Sequence, residues 1–243
     1  MLEISGFSKT YPGGKKAVNN LNLTIESGEI CGFIGRNGAG KTTTIKAVCG
    51  ILDFEEGTIL VDGKDIKVYP VETKSVMAYI PDNPEPYGFM TAIKYLTFIG
   101  DIYKVPRDVQ KERIEKYAEM FELKPVLGNN VSSFSHGMKQ KLAVISALIH
   151  RPKLLILDEP FVGLDPIATH QLRQIFKEMC EEGTAIFFST HVLEVAQKIC
   201  DKIAIIKDGV LVASGKTEEI TKNESLEDVF LELNDKTEAE KNE

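Results

Sequence analysis

The sequence predicts an α/β fold: a mixed, mainly parallel sheet covered by helices, preceded by an antiparallel β subdomain and interrupted by an inserted α-helical subdomain. Three observations predict it. Residues 153–157 (KLLIL) and 184–189 (TAIFFS) are short, almost wholly apolar runs separated by helical spacing over about 167–180, the alternation expected of buried parallel strands and covering helices. The first 30 residues read instead as strands with rough alternation, broken at Pro12-Gly13-Gly14. Between these regions, residues 85 to about 150 change to helical spacing.

In chain order, LEISGFSKTY and AVNNLNLTIE supply the first strands, and Ser27-Gly28 turns the chain into an apolar strand over 29–34. That strand runs into a glycine-rich loop, and TTTIKAVCGIL supplies the helix behind it. Residues 57–61 and 65–68 are expected to pair across Asp62-Gly63, a good hairpin turn. TAIKYLTFIGDIY, VQKERIEKYAEMFEL and the segment after Ser135 carry the helical pattern. Residues 203–206 and 210–213, joined by Lys207-Asp208-Gly209, close the chain's strands as a hairpin. In LEDVFLEL, Leu226, Val229, Phe230 and Leu233 mark a short docked helix. Residues 232–243 hold five acidic and two basic side chains with little to bury, so a flexible tail is expected there. The domain expectation is one unit over 1–231, with the helical subdomain over about 85–150 inserted in its core.

A chain of 243 residues that is 43% hydrophobic and 27% charged has material for a substantial core, which excludes disorder throughout. No apolar stretch approaches the roughly 18 residues of a membrane span, and MLEISGFSKTYPGG lacks a basic segment followed by an apolar one; a spanning or secreted protein is not expected. With 29 basic and 36 acidic side chains the net charge is -7, a poor field for collecting the phosphates of a nucleic acid. Cys31, Cys49, Cys180 and Cys200 are far apart among apolar residues, as reduced structural thiols are, without zinc-site pairs or the density of a disulfide framework.

The strongest chemical signal is Gly35-Arg36-Asn37-Gly38-Ala39-Gly40-Lys41-Thr42, followed by Thr43, which fits GxxxxGK[ST] between a strand and a helix. Glycines let several amides face one anion, the helix adds its N-terminal end, Lys41 reaches the β- and γ-phosphates, and the Thr42 hydroxyl suits magnesium. The fold is therefore expected to be a P-loop NTPase with a RecA-like core; a dinucleotide-binding GxGxxG turn would not explain Lys41-Thr42. Next, Leu154-Leu155-Ile156-Leu157 ends in Asp158-Glu159. Asp158 there can hold magnesium through its water shell, and Glu159 can orient or deprotonate a water; the alternative is two acids on a solvated strand end. His191 closes AIFFSTH at a strand end, where ligands of open sheets gather. It is read as a γ-phosphate contact, against the alternative of a structural histidine. His136, His150 and His170 carry no such argument.

At Ser135-His136-Gly137-Met138-Lys139-Gln140 the sequence resembles the ATP-binding subunit of an ABC transporter, over about residues 1–231. The family's signature, usually LSGGQ, falls on Phe134-Ser135-His136-Gly137-Met138, its D-loop on Gly163-Leu164-Asp165, its switch histidine on His191 and its adenine-stacking aromatic on Tyr11. The resemblance implies two ATP molecules sandwiched between two head-to-tail chains, with Ser135 and Gly137 receiving the γ-phosphate bound by the opposite subunit. Read from the residues alone, Ser135 is a good N-cap whose hydroxyl, with the bare amides beside Gly137, suits an anion.

Two departures stand out. Asp82, in MAYIPDNPEPYG, replaces the usual glutamine; it offers an oxygen towards magnesium or water, or it caps the turn into Asn83-Pro84. His136 and Met138 replace glycine and glutamine. The variants FSHGMKQKL and YIPDNP resemble the exporter branch with separate ATPase and membrane subunits, including the bacterial Ecs-type. That resemblance implies a second ATPase subunit and a multi-spanning permease as partners, no nucleic acid, and a peripheral place at the cytoplasmic face of the membrane. Tyr87 and Phe89 are either a docking rim for that permease or core of the helical lobe. A soluble ABC-family ATPase acting on a protein, ribosome or iron-sulfur partner is the rival reading.

Overall fold

The computed structural model describes residues 1–222 and 224–240, with side chains through Leu233. The strands are β1 (Leu2–Thr10), β2 (Lys16–Ile25), β3 (Ile30–Ile34), β4 (Glu56–Val61), β5 (Lys64–Asp65), β6 (Met77–Ile80), β7 (Leu154–Asp158), β8 (Ala185–Thr190), β9 (Lys202–Lys207) and β10 (Val210–Lys216). The helices are α1 (Lys41–Val48), α2 (Pro70–Ser75), α3 (Ala92–Ile102), α4 (Arg107–Met120), α5 (His136–Leu148), α6 (Pro166–Glu181), α7 (Leu193–Ile199), α8 (Thr217–Thr221) and α9 (Leu226–Glu240).

Four strands form an antiparallel sheet in the order β2-β1-β4-β5. The other six lie in the order β10-β9-β3-β8-β7-β6, parallel except for β10 at the edge. Side chains alternate across a strand, and here both faces are covered. Cys31, Phe33, Leu154, Ile156, Phe187 and Ile206 face one core, shared with the antiparallel sheet and α1. Ile34, Leu155, Leu157, Ile186, Phe188 and Ile205 face a second, shared with the helices from α3 to α7. Two cores explain why these strands read as unbroken apolar runs. All the parallel strands end on one edge, so the residues that follow β3, β6, β7 and β8 meet there.

Several expectations need adjusting. The second strand of the expected 57–68 hairpin is only two residues long: Asp65 Oδ1 accepts from the Lys67 amide at 2.7 Å, a local turn that diverts the chain and leaves Val68 exposed. Three short helices, α2, α7 and α8, stand where no helix was expected. The docked helix forms, with Leu226 buried and Phe230 and Leu233 packed on the second core, but it runs on to Glu240 through the segment read as a flexible tail. Good helix formers such as Lys236, Glu238 and Ala239 extend a helix already anchored; residues 241–243 lie outside those described.

Candidate active site

The loop between β3 and α1 is built to hold an anion. Helix α1 starts after Gly40, whose φ of 111° is left-handed and where a Cβ would stand 2.7 Å from the Ala17 carbonyl oxygen. No side chain caps this helix and no acid sits in its first turn, so its positive end is left for a ligand. Lys41 is buried, its Nζ donating to the Gly35 carbonyl at 2.7 Å and the Arg36 carbonyl at 3.5 Å. Ala39 lies buried beneath the loop, its amide donating to Arg36 O at 3.1 Å, while Asn37 and Gly38 form the rim.

Two carboxylates close the other side. Asp158, 3% exposed at the end of β7, accepts from Thr42 Oγ1 at 2.8 Å through Oδ2 and from Ser189 Oγ through Oδ1. Glu159 follows in a left-handed conformation, φ 50°, rare for a residue with a side chain and concentrated at functional sites. That turn places Glu159 Oε1 3.6 Å from Lys41 Nζ, and Oε2 3.0 Å from His191 Nδ1 and 3.3 Å from the His191 amide. Thr42 Oγ1 and Asp158 Oδ2 are adjacent hard oxygens beside an anion cradle, a donor set that fits magnesium with a phosphate ligand.

Asn37, Gly38, Gly40, Lys41, Thr42, Asp158 and Glu159 line a cleft of about 580 Å³, which also takes in Tyr11, Thr43, Tyr79 and Asp82, while His191 stands behind Glu159. Tyr11 is exposed at its mouth, its hydroxyl 3.4 Å from Thr43 Oγ1. Tyr79, on β6, was not singled out from sequence; burial first, then the Asp158 charge, pushes its hydroxyl well above the usual tyrosine range. Asp82 lines the cleft and its side chain makes no hydrogen bond among the described residues, so the turn-capping alternative gains no bond here.

Ser135, Gly137 and Asp165 are not in that cleft. They line a separate pocket of about 290 Å³ with Gly163 and Lys141. The Ser135 hydroxyl caps α5, accepting from the Met138 amide at 3.3 Å. Asp165 caps α6, accepting from Ala168 N at 2.8 Å, and pairs with Lys141 at 2.9 Å. These bonds, the amide's foremost, hold its carboxyl below the usual range. Gly163, at φ 79°, lies so close to His136 that a Cβ would come within 2.9 Å of the ring, which brings the segment before α6 against the start of α5.

Sequence reasoning missed Ser189, which touches both acidic residues. Its signal was a pair of hydroxyls, Ser189-Thr190, at the end of an apolar strand. Tyr87 and Phe89, for which two readings stood open, are neither wholly core nor isolated: they stack at 5.7 Å, Tyr87 meets Tyr95 and Phe98 of α3 at 6.1 Å, and Phe89 is 79% exposed.

Fold and cleft together define a nucleotide-binding protein of the P-loop class. A family model described as ABC transporter matches residues 18–162. The chain is 34% identical over 233 residues to the ABC transporter ATP-binding protein NatA of Bacillus subtilis (strain 168), covering 94% of this chain and 95% of that one. It is also 34% identical to the ABC-type transporter ATP-binding protein EcsA of the same organism, over 89% and 90% of the two chains. A solved ATP-binding subunit of an ABC transporter superposes with a TM-score of 0.92 at 32% identity, over 96% of this chain and 99% of that one. The chain belongs to the ABC transporter family as an ATP-binding subunit, and its activity is ATP hydrolysis coupled to transport. Among the described residues no helix is long and apolar enough to cross a membrane.

Proposed function

We propose that two copies of this chain, or this chain and a close paralogue, pair head to tail around two ATP molecules and drive a separate multi-spanning permease, in the export direction, from the cytoplasmic face of the membrane. The observation that carries this reading is the separation of the half-sites: the cleft with Lys41, Thr42, Asp158 and Glu159 shares no lining residue with the pocket of Ser135, Gly137 and Asp165. A single chain does not bring them together; in this reading a second copy, inverted, supplies the pocket that faces each cleft. The export direction rests on the FSHGMKQKL and YIPDNP variants.

In this reading Tyr11 stacks on adenine, and the amides from Gly35 to Thr43, Arg36, Asn37, Gly38, Ala39 and Gly40 included, cradle the phosphates. Lys41 exchanges the Gly35 carbonyl for the β- and γ-phosphates. Thr42 and Asp158, with Asp82 beside them, hold magnesium, which when bound neutralises phosphate charge. Glu159 orients the attacking water and takes its proton, and His191, against Glu159, aligns that carboxylate and contacts the γ-phosphate. Ser135 and Gly137 of the second copy complete the γ-phosphate's shell. The exposed Tyr87–Phe89 cluster, a few residues past Asp82, receives a cytoplasmic helix of the permease.

The test is the tagged Glu159→Gln variant, which should bind ATP, lose most turnover and accumulate as an ATP-dependent dimer. Expressed in the native host and extracted in mild detergent with ATP and magnesium, it should retain a multi-spanning protein in stoichiometric amount. Recovery of soluble partners alone, from membranes shown to yield other transporters intact, would overturn the permease reading in favour of a soluble ABC ATPase.

A further inference from the structure

We propose that Ser189 is a positioning residue for hydrolysis: a single hydroxyl that locks the Asp158 carboxylate and the Glu159 main chain into one unit. β7 and β8 are adjacent and parallel, and their register sets Ser189 directly beside Asp158. Ser189 is fully buried. A hydroxyl has one proton to donate and lone pairs to accept with, and both functions are in use on the two acidic residues. The proton goes to Asp158 Oδ1, and the oxygen accepts from the Glu159 amide at 3.1 Å. The same amide lies 3.2 Å from the Ser189 carbonyl.

The arrangement differs from that of an ordinary buried serine. Ser146, in helix α5, donates to the carbonyl of Ala143 three residues earlier, a bond within its own helix. Ser189 instead bonds across 31 residues of sequence. Two consequences follow. Asp158 has both oxygens engaged, Oδ2 by Thr42 and Oδ1 by Ser189, so a cation approaching from the Thr42 side meets a carboxylate whose rotation is already stopped by the Ser189 bond. Glu159 holds its left-handed turn with its amide tied to Ser189, and that turn sends its side chain to Lys41 and His191. Without the hydroxyl, Asp158 Oδ1 is buried with its donor gone and the turn at Glu159 loses one tie.

This inference rests on the reading that Asp158 and Glu159 act on bound ATP. Its test compares Ser189→Thr with Ser189→Val, alike in shape and different only in the hydroxyl, alongside Ser189→Ala in the full chain. Melting temperature, ATP affinity with and without magnesium, and kcat and KM are measured for each. The valine and alanine variants should bind metal-free ATP within about 2-fold of wild type but lose about 10- to 100-fold in kcat and in the affinity gained from magnesium, the scale of a hydrogen bond to a charged group. The threonine variant should recover both. Equal behaviour of threonine and valine, near-normal kcat and magnesium dependence in the alanine variant, or a failure of the hydroxyl-free variants confined to folding would each overturn the proposal. Glu159→Gln in the same assays separates the two ideas. Near-normal turnover in that variant defeats the reading of Glu159, whereas an inactive Glu159→Gln beside a fully active Ser189→Val defeats the role of Ser189 alone.

Discussion

Lys41 Nζ sits 2.7 Å from one carbonyl and 3.6 Å from the Glu159 carboxylate, buried at the start of α1. Folding tolerates a buried ammonium because these oxygens surround it, and the ligand phosphates offer stronger, charged replacements. Replacing it with Lys41→Ala should weaken ATP binding by about 10- to 100-fold, the range for a lost charge-assisted bond, read by titration with a fluorescent nucleotide. Much of this was legible from residue types: the order Gly40-Lys41-Thr42 and the pair Asp158-Glu159 name their own chemistry. The φ of 50° at Glu159 and the Ser189 bonds were not legible, because they arise where β7 and β8 align, 31 residues apart in the chain.

Among the elements, the helical lobe depends on one close approach. Gly100 of α3 leaves room for Gln110 of α4; a Cβ there would stand 2.5 Å from Gln110 Cδ. Gln110 is 2% exposed and its Nε2 donates to Asp101 Oδ1 at 2.9 Å and Val105 O at 2.8 Å, so it has little freedom to withdraw. Gly100→Ala should therefore destabilise the protein by about 1–3 kcal/mol, the cost of overpacking, as measured by urea denaturation, and adding Gln110→Ala should recover part of that loss. The long amphipathic pattern of α3 was readable in sequence, since residues on one face of a helix recur locally. The brief α2, α7 and α8 were not, because five to seven residues carry too few turns to show a period.

At the scale of the whole molecule, the lobe is pinned to the sheet at His150. Its ring stacks on Tyr103 with centroids 3.6 Å apart, and Nε2 lies 3.2 Å from the Met77 carbonyl at the start of β6. Nδ1 is buried with no partner among the described residues. Burial, ahead of the opposing Met77 bond and aided by Arg113, lowers the pKa of His150 from 6.5 to about 4. Between those values the unfolded chain binds a proton that the native chain refuses, so stability rises with pH through this window and is lost as pH falls from 6.5 towards 4. The full effect is about 3 kcal/mol. His150→Gln, which keeps a donor for Met77 and does not titrate, should flatten the dependence of melting temperature on pH between 4 and 6.5.

What the sequence determined by itself is the phosphate loop between a strand and a helix, the buried strand ending in two carboxylates, and the N-cap at Ser135. Each depends on residues within one or two turns of each other, where spacing and side-chain type decide the structure. Only the tertiary structure decided that Ser189 meets Asp158, that Glu159 turns back onto Lys41 and His191, and that the Ser135 pocket is separate from the ATP cleft. Those outcomes depend on strand order and on how the helical lobe packs against the sheet, and such contacts join residues far apart in the chain.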